Sequence, residues 1–135
     1  MIPKYRVWDS YTKKMHEVAE LDFLNDEVHY DYSDVITDFL KTRDFKDVEL
    51  MQSTGLKDVY GKEIYDGDIA EFKYPHDKRF KEIGIITHSA EKACFVIKMI
   101  RDTIQEFDLY IGVANSYLKV IGNKFNNPEL LEEIE

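Results

Sequence analysis

Glu63, Asp66 and Asp68 cluster around Gly67, and among the residue types of this chain their spacing comes nearest to chemistry. Carboxylates gathered at a turn can converge on a cation or divide the roles of general acid and general base. The spacing is not the alternating-oxygen ladder of a calcium loop, however. Asp66 can cap its own turn, and Asp68 can accept backbone N–H bonds, so the set reads as turn-forming. His16, His29, His76 and His88 are widely separated, with no H-x-H or H-E-x-x-H among them, and no zinc site is expected. His29 falls on the polar side of its segment and His88 closes the apolar run Ile85-Ile86-Thr87, which makes both surface or turn residues. Ser53, Ser89 and Ser116 lack a G-x-S-x-G elbow. Cys94, between Ala93 and Phe95, reads as a small buried hydrophobe with an inert thiol. The scattered glycines form neither of the common phosphate-binding loops. The expectation is a non-enzymatic protein with no catalytic residue, no cofactor and no metal.

The elements that must position these residues are mostly strands. Val28, Tyr30 and Tyr32 alternate with His29 and Asp31; Ala70, Phe72 and Tyr74 alternate with Glu71 and Lys73; Phe107, Leu109 and Ile111 repeat the pattern, with Glu106 and Asp108 facing outward. Period two of this kind marks a strand with one buried face. Tyr5 to Trp8, Met15 to Phe23, Ile83 to Thr87, Phe95 to Ile100 and Tyr117 to Phe125 are rich in aromatic and β-branched residues, which suit a pleated surface. Asn25-Asp26, Tyr60-Gly61-Lys62 and Asp66-Gly67-Asp68 supply the turns. Short strands joined by turns point to a mainly β barrel or sandwich. Two short helices are expected, one capped by Ser33 and carrying Ile36, Phe39 and Leu40, and a brief terminal one opened by Asn127-Pro128-Glu129. Asp34 to Asp47 fits neither period and reads as an insert between an N-terminal β subregion, about 1–49, and a barrel subregion, about 50–135, of one domain.

At 135 residues the chain can form a single core without staples, and its 44% apolar content is that of a globular protein. One cysteine and a polar start at Met1-Ile2-Pro3-Lys4 point to a reducing cytoplasm and no membrane association. The net charge is −9, with 12 acids against 7 bases in residues 1–50. That field repels phosphate backbones, so a nucleic-acid partner is disfavoured. The exception is a local cluster, Lys73, Lys78, Arg79 and Lys81, flanking Pro75-His76-Asp77. It defines the alternative reading, a small barrel surface that binds nucleic acid. The aromatic surplus equally suits a protein interface or a homo-oligomer, and the acidic N-terminal half would suit a basic partner protein.

Four motifs bring the residues into the order of a known family. They are Tyr5-Arg6-Val7-Trp8-Asp9, Leu50 to Asp58, Gly61 to Ile69, and Val120-Ile121-Gly122-Asn123 followed by Asn127-Pro128-Glu129-Leu130-Leu131. The chain resembles the YopX family of phage and prophage proteins across nearly its whole length, although Lys124-Phe125 stands where a more apolar pair is expected. The resemblance implies an SH3-like barrel core with an N-terminal β-meander, encoded by a phage or prophage of a bacterium. It supplies no catalytic residues. The leading expectation is therefore a binding module that works through protein contacts made by an edge strand or an aromatic patch.

Overall fold

The structure is a computed structural model and describes residues 3–31, 40–73, 81–101 and 105–132. Clustering of the backbone divides the chain into two compact units, Met1–Gln52 and Ser53–Glu135. The first holds β1 (Tyr5–Asp9), β2 (Lys14–Asp22), β3 (Glu27–Asp31), β4 (Leu40–Asp44) and the start of β5 (Val48–Lys57). These strands are antiparallel in the order β4-β3-β2-β1-β5, a meander completed by β5 on the far side of β1. Register pairs Val7 with both His16 and Leu50, and Tyr30 with Val18. Side chains directly opposite in a pair share a face. One face therefore collects Val7, Val28, Tyr30 and Val48, packed with Val18, Leu21, Phe45 and Leu50 into a small core. Each such side chain taken out of water contributes roughly 1.5–3 kcal/mol before entropy is counted.

Strand β2 changes phase partway along. Its pairing with β3 shifts between Val18 and Glu20, so Ala19 is an extra residue in a β-bulge. Strict alternation from His16 and Val18 would send Glu20 and Asp22 into the core. The bulge instead turns Leu21 inward, opposite Val28, and Glu20 and Asp22 outward, opposite His29 and Glu27.

In the second unit the later part of β5 pairs β6 (Glu63–Tyr65) through Ser53↔Tyr65 and Lys57↔Glu63. A five-stranded antiparallel sheet follows in the order β10-β9-β8-β7-β11, built from β7 (Asp68–Lys73), β8 (Lys81–Ser89), β9 (Cys94–Met99), β10 (Glu106–Asp108) and β11 (Leu118–Asn123). Helix α1 (Ile111–Tyr117) delivers Val113 and Ala114 to a larger core with Ile64, Ala70, Phe72, Ile86, Ile97, Met99, Leu109, Leu118 and Val120. Gly67 takes a φ of 89°, which glycine alone adopts freely, and its N–H reaches Ile86 O at 2.8 Å while its carbonyl accepts from Lys124 N at 3.0 Å.

The protein is mainly β, with antiparallel sheets as the alternation predicts. Several details differ. Ile111 opens α1 and does not continue a strand, because the Tyr110 carbonyl accepts from the Val113 and Ala114 N–H groups at 3.0 and 2.9 Å. The expected terminal helix is a single 3₁₀ turn, Pro128–Leu131. Within Asp34–Asp47, the described part forms the regular strand β4 and a 3₁₀ turn, Phe45–Asp47, in place of an irregular insert. The helix expected after Ser33 lies outside the described residues except for Leu40, which opens strand β4 instead, paired with Asp31. A closed barrel is not seen among them, since the five-stranded sheet ends at β10 on one side and β11 on the other. Cys94, the first residue of β9, is half-buried and so less enclosed than its apolar neighbours imply.

Candidate functional site

Three buried carboxylates are the most conspicuous polar groups, and each has a structural explanation. Asp9 is fully buried at the end of β1. It accepts hydrogen bonds from the Tyr30 hydroxyl, from Arg43 Nε at 2.8 Å and from the Tyr11 N–H at 2.8 Å. Burial pushes its pKa upward, but the bonds from Tyr30, Arg43 and Tyr11 and the Arg43 charge outweigh that and hold it at about 2. Burial, then the hydrogen bond to Asp9, raises the Tyr30 pKa well above the usual phenol range. His16 stacks on the Tyr30 ring with centroids 4.2 Å apart, and the Arg43 guanidinium lies 4.6 Å from the centre of the Tyr11 ring. Asp9 is thus held as a carboxylate by three donors, one of them the arginine beside it.

Asp58 follows the same logic in the second unit. Its Oδ1 accepts from the Tyr60 and Lys62 N–H groups, both at 2.9 Å, and its Oδ2 accepts from Val120 N at 2.9 Å. Gly61, with φ 79°, lets the turn close around it. The carboxylate therefore binds a local turn to β11. Sequence reading missed this role, because the third bond spans 62 residues of chain. Asp68 accepts from Tyr65 N at 2.8 Å and is nearly fully buried, which agrees with its reading as a backbone acceptor. Glu63 and Asp66 make interactions of their own. Among the described residues the three turn acids do not appear as a metal-ligand group.

A different trio does meet. Asp22, Glu27 and His29 each bring a ligand-capable atom within 4.8 Å of the others. Asp22 and Glu27 sit directly opposite across the β2–β3 hairpin, and His29 is two residues along the same face. Asp22 also shapes the turn, accepting from the Leu24 and Asn25 N–H groups at 3.1 Å and from Asn25 Nδ2 at 2.7 Å. Those bonds, the Asn25 side chain first, lower its pKa. His29 Nδ1 lies 2.7 Å from Thr42 Oγ1 on β4, which places this histidine on the polar face as expected. The signal was present in sequence as acids at the two ends of a hairpin turn, but only register brings Asp22 opposite Glu27.

The trio belongs to a wider surface. On the face of β2, β3 and β4 turned away from the core, register places Glu17, Glu20 and Asp22, then Glu27 and Asp31, then Asp44. Asp22, Glu27 and Asp44 stand side by side across three strands. The basic residues Lys41 and Arg43 of β4 pair with Tyr30 and Val28 on the core side. At the hairpin tip beside these acids, Phe23 is 73% and Leu24 92% exposed, and Leu40 is also exposed on β4.

The basic cluster of the alternative reading is only partly visible. Lys73 is exposed at the end of β7, and its register partner is Lys81 on β8. Lys78 and Arg79 lie outside the described residues. His88 is a surface residue, edge-on to Phe95 at 5.3 Å.

Two units with separate cores, each built from antiparallel strands and tied by buried carboxylates that accept hydrogen bonds, define a small, mainly β protein. The chain belongs to the YopX family, whose model matches residues 4–132. It is similar to the crystal structure of protein EF1440 from Enterococcus faecalis, with 29% identity, a TM-score of 0.64 and coverage of 97% of this chain and 99% of that one. It is also similar to the crystal structure of protein yopX from Bacillus subtilis, at 24% identity and a TM-score of 0.63 over 98% of each chain. No curated protein matches the chain.

Proposed function

We propose that the protein is a non-catalytic binding module acting through protein–protein contacts. The observation that carries this reading is the β2–β3 hairpin tip, where Leu24 stands almost fully in solvent and Phe23, edge-on to Phe45, is largely exposed beside it. Adjacent large apolar side chains held outward by a hydrogen-bonded Asp22 turn are a contact surface ready to be covered. The saturated environments of Asp9 and Asp58 agree with a scaffold, because their proton-accepting capacity is spent on the fold. In the same reading the five-stranded sheet of the second unit is an SH3-like barrel left partly open. The protein is then a phage or prophage product working in the cytoplasm of a bacterial host, with a host protein or a second copy of itself as partner.

Light scattering on the purified protein, together with affinity capture from host lysate, tests the reading when wild type is compared with the Phe23→Ser, Leu24→Ser double variant. Self-association or a captured protein that is lost in the variant is expected. A wild-type protein that stays strictly monomeric and captures nothing removes the reading.

A further inference from the structure

We infer that the outward face of β2, β3 and β4 is a docking surface for a Lys/Arg-rich segment of a partner protein. This rests on the protein-binding reading above and names its partner chemistry. Like charges placed directly opposite in a sheet destabilise it, yet Asp22, Glu27 and Asp44 form such a row here. Glu17, Glu20 and Asp31 extend the acidic surface along the same strands. No lysine or arginine of β2, β3 or β4 points to this side, since Lys14, Lys41 and Arg43 all share the face of Val7, Tyr30 and Val28. Cations from outside these three strands border the face: Arg6 of β1 pairs with Glu17, Lys4 lines the same hollow as Glu20, and Lys46 lines one with Asp44.

The segregation along β2 depends on the bulge at Ala19. Without it Glu20 and Asp22 would point into the core and Leu21 outward. The fold thus spends a strand irregularity on presenting acids. Their potential complements a cationic partner and repels a nucleic acid. Phe23, Leu24 and Leu40 border the acids and provide apolar contacts that a free polyanionic surface would lack. The matching occupant carries lysines or arginines spaced among apolar residues.

Fluorescence anisotropy with a labelled synthetic peptide alternating Lys/Arg with Leu tests this on the full chain. Glu20→Lys, Glu27→Lys, Asp44→Lys is compared with an equal charge change elsewhere, Glu91→Lys, Glu129→Lys, Glu132→Lys, all exposed. The face variant should weaken binding by roughly tenfold or more and flatten its salt dependence, while the control stays within about twofold. Glu20→Gln, Glu27→Gln, Asp44→Asn, which introduces no new charge, should show the same loss to a smaller degree. Equal losses in face and control variants, or no wild-type binding at low salt, overturn the inference. So does calcium or magnesium that binds the wild type at Asp22, Glu27 and His29 and abolishes peptide binding, because the face is then a cation site. If the peptide fails while capture sensitive to Phe23 and Leu24 persists, the docking surface is wrong and the binding-module reading stands.

Discussion

Asp58 shows how one side chain can carry more structure than its surroundings suggest. With three N–H groups on one carboxylate, Asp58→Ala leaves the buried Val120 N–H without its partner and opens the turn at Gly61. The expected loss is about 2–4 kcal/mol, since an unsatisfied buried donor costs its desolvation in full. Urea unfolding followed by tryptophan fluorescence and circular dichroism measures it, and a loss under about 1 kcal/mol would show that water replaces the carboxylate. Asp9 makes a pH prediction. Its folded pKa of about 2 lies below the unfolded value of 3.8. Its stabilisation is therefore fully present above pH 3.8 and is lost as pH falls through about 2. The size is on the order of 2 kcal/mol by linkage. The stability gap between wild type and Asp9→Asn should narrow across that window, and a constant gap would mean that Asp9 is not ionised in the fold. The turn glycines were legible by residue type, and Asp68 because its bond from Tyr65 is local. The full roles of Asp58 and Asp9 were not, because Val120 for the one and Tyr30 and Arg43 for the other lie tens of residues away, and one acid among 27 carries no mark of what it will meet.

Among the elements, the strands were legible wherever alternation met aromatic and β-branched residues, as in β1, β3 and β7. Helix α1 was hidden, because Ile111-Gly112-Val113-Ala114 has little helical propensity and takes its conformation from burying Val113 and Ala114. The outward acidic face was hidden too, because a bulge leaves no reliable sequence signature and Ala19 alone resets the phase of β2. Gly84 in β8 tests how tightly the central strands meet. A Cβ there would fall 2.5 Å from Ile97 Cγ1 and 2.8 Å from the Lys98 carbonyl oxygen, and the carbonyl is backbone that cannot move aside. Gly84→Ala should cost about 1–3 kcal/mol through overpacking, read as a lowered unfolding midpoint with an unchanged slope. A neutral result would mean that β8 and β9 separate easily.

At the scale of the whole molecule, the two cores differ in size. Among the described residues, the core of the first unit gathers Val7, Val28, Tyr30 and Val48, whereas that of the second assembles eleven buried residues, Ile86 and Ile97 among them. Resistance to local opening follows the apolar area that must be exposed. Native-state hydrogen exchange should therefore find the slowest amides in β7, β8 and β9, with those of β2 and β3 exchanging sooner. Equal protection in both units would show that they open as one. Composition bounded this scale well, since 44% apolar residues announce a packed protein. From sequence the boundary falls at about residues 49 and 50, and the two compact units divide at Gln52 and Ser53, inside the unbroken strand β5.

The pairing of β11 with β7, in which Val120 meets Ala70, has a consequence for synthesis on the ribosome. The β1–β4 meander joins neighbours in sequence and can assemble as it emerges. Strand β7 must wait for about fifty further residues before its second neighbour is translated. During that interval one row of its backbone donors and acceptors, beside the apolar Ile69, Ala70 and Phe72, stays open to any other nascent strand. Release of a shortened product ending before Leu118 would leave that edge bare, and such a fragment should aggregate where the complete chain stays dispersed.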